Sequence, residues 1–133
     1  MVKASRLLRY GWAAPYTVLG VALGFVAVLC GGHWRTHRGV IEVFGGGIGL
    51  GISGLPPVLG FSAMTLGHVI LAVDRSALSQ LRLHEHVHVR QYERLGALFF
   101  PLYVGSSVVQ LLRGRDPYFD NRFEREARAL ADR

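Results

Sequence analysis

Residues 83–95 read Leu83-His84-Glu85-His86-Val87-His88-Val89-Arg90-Gln91-Tyr92-Glu93-Arg94-Leu95. Residues four apart on a helix lie one above the other on one face. A helix here lets His84 and His88 aim a ring nitrogen at one metal ion. Glu85 stands beside that pair, too far round to complete the same fork, and within reach of a proton on a metal-bound water. Two imidazoles and a neighbouring carboxylate in H-E-x-x-H spacing are the elements of zinc-assisted hydrolysis. His86 falls on another side of the helix and reads as a surface or packing residue.

The helix has readable ends. Asp74 or Ser76 can cap a start in Arg75–Leu83, and Gly96 is a stop after Leu95. Upstream, Gly39–Val73 holds one acid, Glu42, and no Lys or Arg. Its composition predicts a short strand at Gly39–Phe44, a glycine-rich connection (Gly45, Gly46, Gly47, Gly49, Gly51, Gly54, then Pro56-Pro57) and a second strand near Met64–Val73. A membrane span somewhere in 46–72 is the competing expectation. Downstream, Ala97–Leu112 is an uncharged stretch of 16 residues with Pro101 near its start. That is short for a full span and suits a helix packed on the domain or dipping into a membrane. Arg113-Gly114-Arg115-Asp116-Pro117 breaks the chain. Asp120 or Asn121 then caps a last helix, Arg122 to Ala131.

The N-terminal side carries a different signal. Trp12–Gly32 is free of charge, follows Lys3, Arg6 and Arg9, and precedes His33, Trp34, Arg35, His37 and Arg38. That length and those flanks suit a transmembrane helix. It reads as a retained anchor, because Ala27-Val28-Leu29-Cys30 lacks the small residue expected before a lipoprotein cysteine. Cys30 has no partner for an intrachain disulfide and reads as a buried small hydrophobe.

The composition agrees with a membrane setting. Half of the 133 residues are hydrophobic and 18% are charged, with a net charge of +6. No Lys/Arg run alternates with aromatics, so the basic excess points to anionic lipid headgroups and not to nucleic acid. The length suits a single small domain. The expected class is α+β: a basic N-terminus and membrane anchor over 1–38, then a minimal metal-binding domain over 39–133.

The motif, with Gln91 after it and Asn121-Arg122-Phe123-Glu124-Arg125-Glu126-Ala127-Arg128 downstream, resembles the gluzincin type of zinc metallopeptidase. It looks most like small membrane-anchored bacterial proteins with a H-E-x-x-H-V-R-Q-Y-E-R core. It is similar, more distantly, to membrane metallopeptidases that process prenylated or misfolded membrane proteins. The resemblance covers about residues 64–130. It implies a zincin-like fold with a zinc ion on His84, His88 and Glu124, Glu126 being the second choice, and Glu85 as catalytic base. It also implies that Thr65–Leu71 is an edge strand binding extended substrate by strand addition. Arg128 departs from the pattern, since an aspartate usually stands there to support a ligand histidine. Asp120, Asp116 or Glu126 could substitute. His68, Tyr103, Tyr118 and Gln91 are further candidates for an extra ligand, an oxyanion donor or a supporting contact. The expected activity is hydrolysis of a peptide or membrane-protein substrate at a bacterial inner membrane. The alternative is a non-catalytic accessory subunit or chaperone of a larger membrane complex, or a homo-oligomer, with a structural or vestigial metal site.

Overall fold

The computed structural model describes residues 2–46 and 63–131, and the side chains of 7–46 and 63–131. Helix α1 (Val2–Leu29) leads into strands β1 (His33–His37), β2 (Val40–Phe44), β3 (Ala63–Leu66) and β4 (Val69–Ala72). Helix α2 (Arg75–Leu95), a single 3₁₀ turn (Gly96–Leu98), α3 (Phe99–Leu112) and α4 (Arg122–Ala131) follow. The class is α+β. The sheet is mixed, in the order β1-β2-β4-β3, with β2 and β4 parallel and the other two pairs antiparallel.

Two tight turns make the antiparallel pairs. Arg38 and Gly39 join β1 to β2 with φ of 53° and 78°, the double positive φ that a type I′ hairpin turn requires. Gly67, at φ 60°, opens the turn between β3 and β4, where a residue with a Cβ would be strained. Residues 64–73 are therefore a hairpin broken at Gly67-His68, where one continuous strand was expected. His33–His37, expected as the basic flank of the anchor, is a strand, because Arg38-Gly39 folds it back onto β2. The hairpin also accounts for 63–72 of the segment weighed as a second span. Residues 47–62 of that segment, including the connection from Gly47 through Pro57, lie outside the described residues.

The sheet lies between two helices. One face meets α1 through Ala27, Val43, Leu66, Val69 and Leu71; the other meets α2 through Val40, Ala63, Ile70, Ala72, Leu78 and Val89. Glycines in α1 permit the close approach. A Cβ at Gly20 would lie 2.7 Å from that of Val69, and one at Gly24 would lie 2.9 Å from Val43 Cγ2. A third cluster, Ala13, Tyr92, Phe99 and Phe123, joins α1, α2, α3 and α4. Polar contacts fix the register of α1: the Thr17 hydroxyl accepts from His68 N–H at 3.0 Å, and the Tyr16 hydroxyl donates to the Ala97 carbonyl at 3.2 Å.

The outward faces of α1 and α3 are apolar and exposed, including Leu7, Val18, Phe25 and Leu29 on α1 and Leu102, Val108, Leu111 and Leu112 on α3. Two helical stretches, Leu7–Leu29 and Arg75–Leu112, are long and apolar enough to cross a membrane. In the second, every charged residue belongs to α2, and 96–112 is uncharged. Cys30, expected to be buried, is exposed just beyond the end of α1.

Candidate metal centre

Helix α2 is bounded as its end signals require. The Asp74 carboxylate accepts from the Ala77 N–H at 2.7 Å, and Gly96 ends the helix with its N–H on the Tyr92 carbonyl. Between these caps the helix buries Glu85, His88 and Gln91 together with its apolar residues. Burial of three such polar side chains in one helix needs partners for each of them.

Helix α4 supplies the partner that matters most. His84 Nε2 and His88 Nε2 stand 3.2 Å apart. Glu124 spans the pair, with Oε2 2.8 Å from His84 Nε2 and Oε1 3.2 Å from His88 Nε2. The three donor groups lie within 4.8 Å of one another and could hold a metal ion. With both ring nitrogens turned to the Glu124 carboxylate, their own 3.2 Å approach is left without a proton to share. A cation held there would engage all three donor groups together, and two imidazoles with one carboxylate form a recognised set for a divalent transition metal.

Gln91 fixes one of these candidate ligands. Its Nε2 donates to the Phe123 carbonyl at 3.1 Å, and a carbonyl can only accept. Its Oε1, 2.8 Å from His88 Nδ1, is therefore the acceptor, and His88 carries a proton on Nδ1. That tautomer leaves the lone pair of neutral His88 on Nε2, facing Glu124 and His84. Gln91 thus orients one ligand while bonding the backbone next to another.

Glu124 is positioned from α3. Tyr103 donates to Glu124 Oε1 at 2.6 Å. Asn121 caps α4 by accepting from Phe123 N–H at 2.8 Å, and its own amide donates to the Tyr103 carbonyl and the Ser107 hydroxyl. Burial alone would raise the Glu124 carboxyl, but hydrogen bonds from His84, His88 and Tyr103 hold it well below the ordinary carboxylate range. Burial would likewise lower the His88 imidazole, yet its hydrogen bond and charge pairing with Glu124 push it up to about 9.

Glu85 sits at the same place without joining the ligand set. Its Oε2 accepts from the Thr65 hydroxyl of β3 at 2.7 Å, and burial raises its carboxyl despite nearby His88 and that hydrogen bond. A cavity of about 110 Å³ opens beside it, with Met64, Thr65 and Leu66 of β3 on one wall and Phe99, Phe100 and Tyr103 on the other. Glu85, His88, Glu124 and Tyr118 reach the same cavity. The strand beside it, β3, is one of the two outer strands of the described sheet.

Other expected participants are elsewhere. His68 is buried in the β3–β4 turn, stacked on Tyr10 at 3.9 Å and bonded to Glu93 at 2.9 Å. Glu126 pairs with Arg94 at 3.2 Å. Arg128 donates to the Phe119 carbonyl and lies over the Phe119 ring, away from the histidines. Asp116 accepts from the backbone of Tyr118 and Phe119, and Asp120 from that of Asp116. Neither takes the place of the expected aspartate.

Sequence reasoning passed over Thr65, whose strand position gave no sign of its bond to Glu85, and Glu42. The Glu42 carboxylate is fully buried on β2, accepting from Arg35 Nε at 3.2 Å and from Arg82 Nε and Nη2 at 2.9 and 3.0 Å. Its signal was available: a lone acid in an apolar stretch of 35 residues must find a cation when buried. In comparisons with known proteins, no family model, no curated protein and no solved structure matched the chain.

Proposed function

We propose that the chain is a membrane-anchored zinc metallopeptidase of minimal zincin-like build. The observation that carries this reading is the convergence of His84, His88 and Glu124 on one point, with the separate buried carboxylate Glu85 beside them on the cavity wall. A zinc ion on this set would supply Lewis acidity and an acidified water. Glu85, held by Thr65 at the cavity wall, would be the general base beside such a water and would carry its proton to the leaving amine. Burial raises its carboxyl above the ordinary value, the direction that makes a carboxylate a stronger base. The β3 edge bounds the cavity, where an extended peptide can add as a further strand and present an apolar side chain toward Phe99 and Phe100. The exposed apolar faces of α1 and α3 support a membrane setting and membrane-protein substrates.

A Glu85→Gln variant tests this reading. It should keep about one zinc per chain and lose proteolysis, because the amide cannot take the proton. Wild-type protein purified natively without zinc would sink the proposal. The second reading, a non-catalytic accessory protein with a structural site, draws support from Arg128, whose side chain serves Phe119 where a ligand-supporting acid was expected. Association with a membrane complex that survives Glu85→Gln, with no peptide cleaved, would favour it.

A further inference from the structure

Helix α2 carries a second stripe that the metal centre does not use. Arg82, His86 and Arg90 recur at four-residue intervals and so share one face, turned away from His84 and His88. Across a cavity of about 120 Å³ stand His37 at the end of β1 and Arg38 of the β1–β2 turn, and the end of α4 closes the cleft. The His37 and His86 rings meet edge-on at 5.5 Å.

This cleft is built, not merely basic. Glu42, with no exposed surface, holds Arg82 by two hydrogen bonds and approaches His86 Nε2 at 3.4 Å. The Nη1 hydrogens of Arg82 are not used in those bonds and remain donors. Charge is unbalanced in one direction. Arg35 and Arg82 share the single carboxylate of Glu42, while among the described residues Arg38 and Arg90 have no ion pair. Arg38 also sits at φ 53°, a backbone conformation that disfavours any side chain of its size. The turn nevertheless presents an arginine to the cleft.

The cleft also has a place relative to α1. The Gly39 carbonyl, next to Arg38, accepts from the Tyr10 hydroxyl at 2.7 Å. Tyr10 lies between Arg9 and Trp12, where the chain passes from its basic start into the apolar run. Basic and aromatic residues at such a boundary occupy the headgroup layer of a bilayer.

We propose that this cleft binds a phosphate oxyanion, supplied by the headgroup of an anionic phospholipid at the end of α1 near Tyr10. Arg38 and Arg90 contribute charge that no ion pair among the described residues compensates, and Arg82 contributes directed donors fixed by Glu42. The site is independent of the metal centre and of peptidase activity.

The test uses the full chain in an uncharged detergent, titrated by calorimetry. The probes are short-chain phosphatidylglycerol, phosphatidylcholine of the same chain length and inorganic phosphate. Phosphatidylglycerol should bind about tenfold more tightly than either of the others. The double variant Arg38→Gln/Arg90→Gln, which alters two exposed side chains, should lose about tenfold of that affinity and keep the metal content of wild type. The control Arg113→Gln/Arg115→Gln, at the far end of α3, should change it less than about twofold. Equal affinity for the two lipids, or equal losses in both double variants, overturns the proposal. Inorganic phosphate binding as tightly as phosphatidylglycerol overturns the lipid as its source.

Discussion

Replacing Gln91 tests whether the metal ligands are oriented by the contacts described above. Gln91 is 1% exposed and makes two hydrogen bonds, one from His88 Nδ1–H and one to the Phe123 carbonyl. Leucine preserves the volume approximately and removes both. Leaving a buried donor and a buried acceptor without partners costs about 1–3 kcal/mol for each, so Gln91→Leu should destabilise the fold by about 2–6 kcal/mol. Its effect on metal binding is separable. Without the acceptor, His88 can carry its proton on Nε2, the nitrogen needed by the metal, and the ring can turn. Loss of such a supporting contact typically weakens metal affinity about 10–100-fold. Gln91→Glu keeps an acceptor on Nδ1 and should retain zinc affinity within about threefold of wild type, while losing the bond to Phe123. Affinity is read by competition with a chromophoric chelator, and stability by urea denaturation. Equal zinc affinity in Gln91→Leu and wild type would refute the reasoning.

Three further predictions concern neighbouring parts of the molecule. His88 is raised from 6.5 to about 9 and Glu124 is lowered from 4.5, so their stabilisation of the metal-free protein is greatest between those two ordinary values. It is lost as pH rises from 6.5 through 9 and as pH falls below 4.5. A thermal midpoint of the metal-free protein that climbs between pH 6.5 and 9 would contradict this, as would zinc uptake at neutral pH without proton release. Tyr103→Phe removes the hydroxyl that donates to Glu124 at 2.6 Å; it should weaken zinc binding about 5–10-fold in the chelator assay, and full affinity would argue that Glu124 needs no such support. Gly20→Val forces a side chain onto Val69, 2.7 Å from the first added carbon. It should cost about 1–3 kcal/mol and increase protease access to the β3–β4 turn, whereas unchanged protection would show that α1 does not dock there.

The sequence was most legible where chemistry and local structure coincide. Of the caps weighed, Asp74 and not Ser76 starts α2 and Asn121 and not Asp120 starts α4, Gly96 ends α2 as expected, and the proline-containing apolar run gave α3. Glu124 was reached through a family pattern, and the structure brings it to the histidines. Periodicity could not reveal β1: His-Trp-Arg-Thr-His reads as a basic flank until the turn at Arg38-Gly39 pairs it with β2. The same blindness to turns merged β3 and β4 into one strand. The close seating of α1 was hidden in Gly20 and Gly24, which inside an apolar helix are equally compatible with lipid. The aspartate expected at position 128 is absent, and of the supporting residues weighed in the sequence it is Gln91, a neutral amide in the next turn of the motif helix, that meets His88. A supporting contact is set by three-dimensional placement, and spacing along the chain does not specify it.

The central claim is that His84, His88 and Glu124 hold one zinc ion. Elemental analysis of the natively purified full chain, with an anomalous-scattering crystal structure at the zinc edge, tests it most directly. The account predicts about one zinc per chain, bound through the Nε2 atoms of both histidines and the Glu124 carboxylate. A natively purified chain without zinc, or zinc bound to other residues, would contradict it.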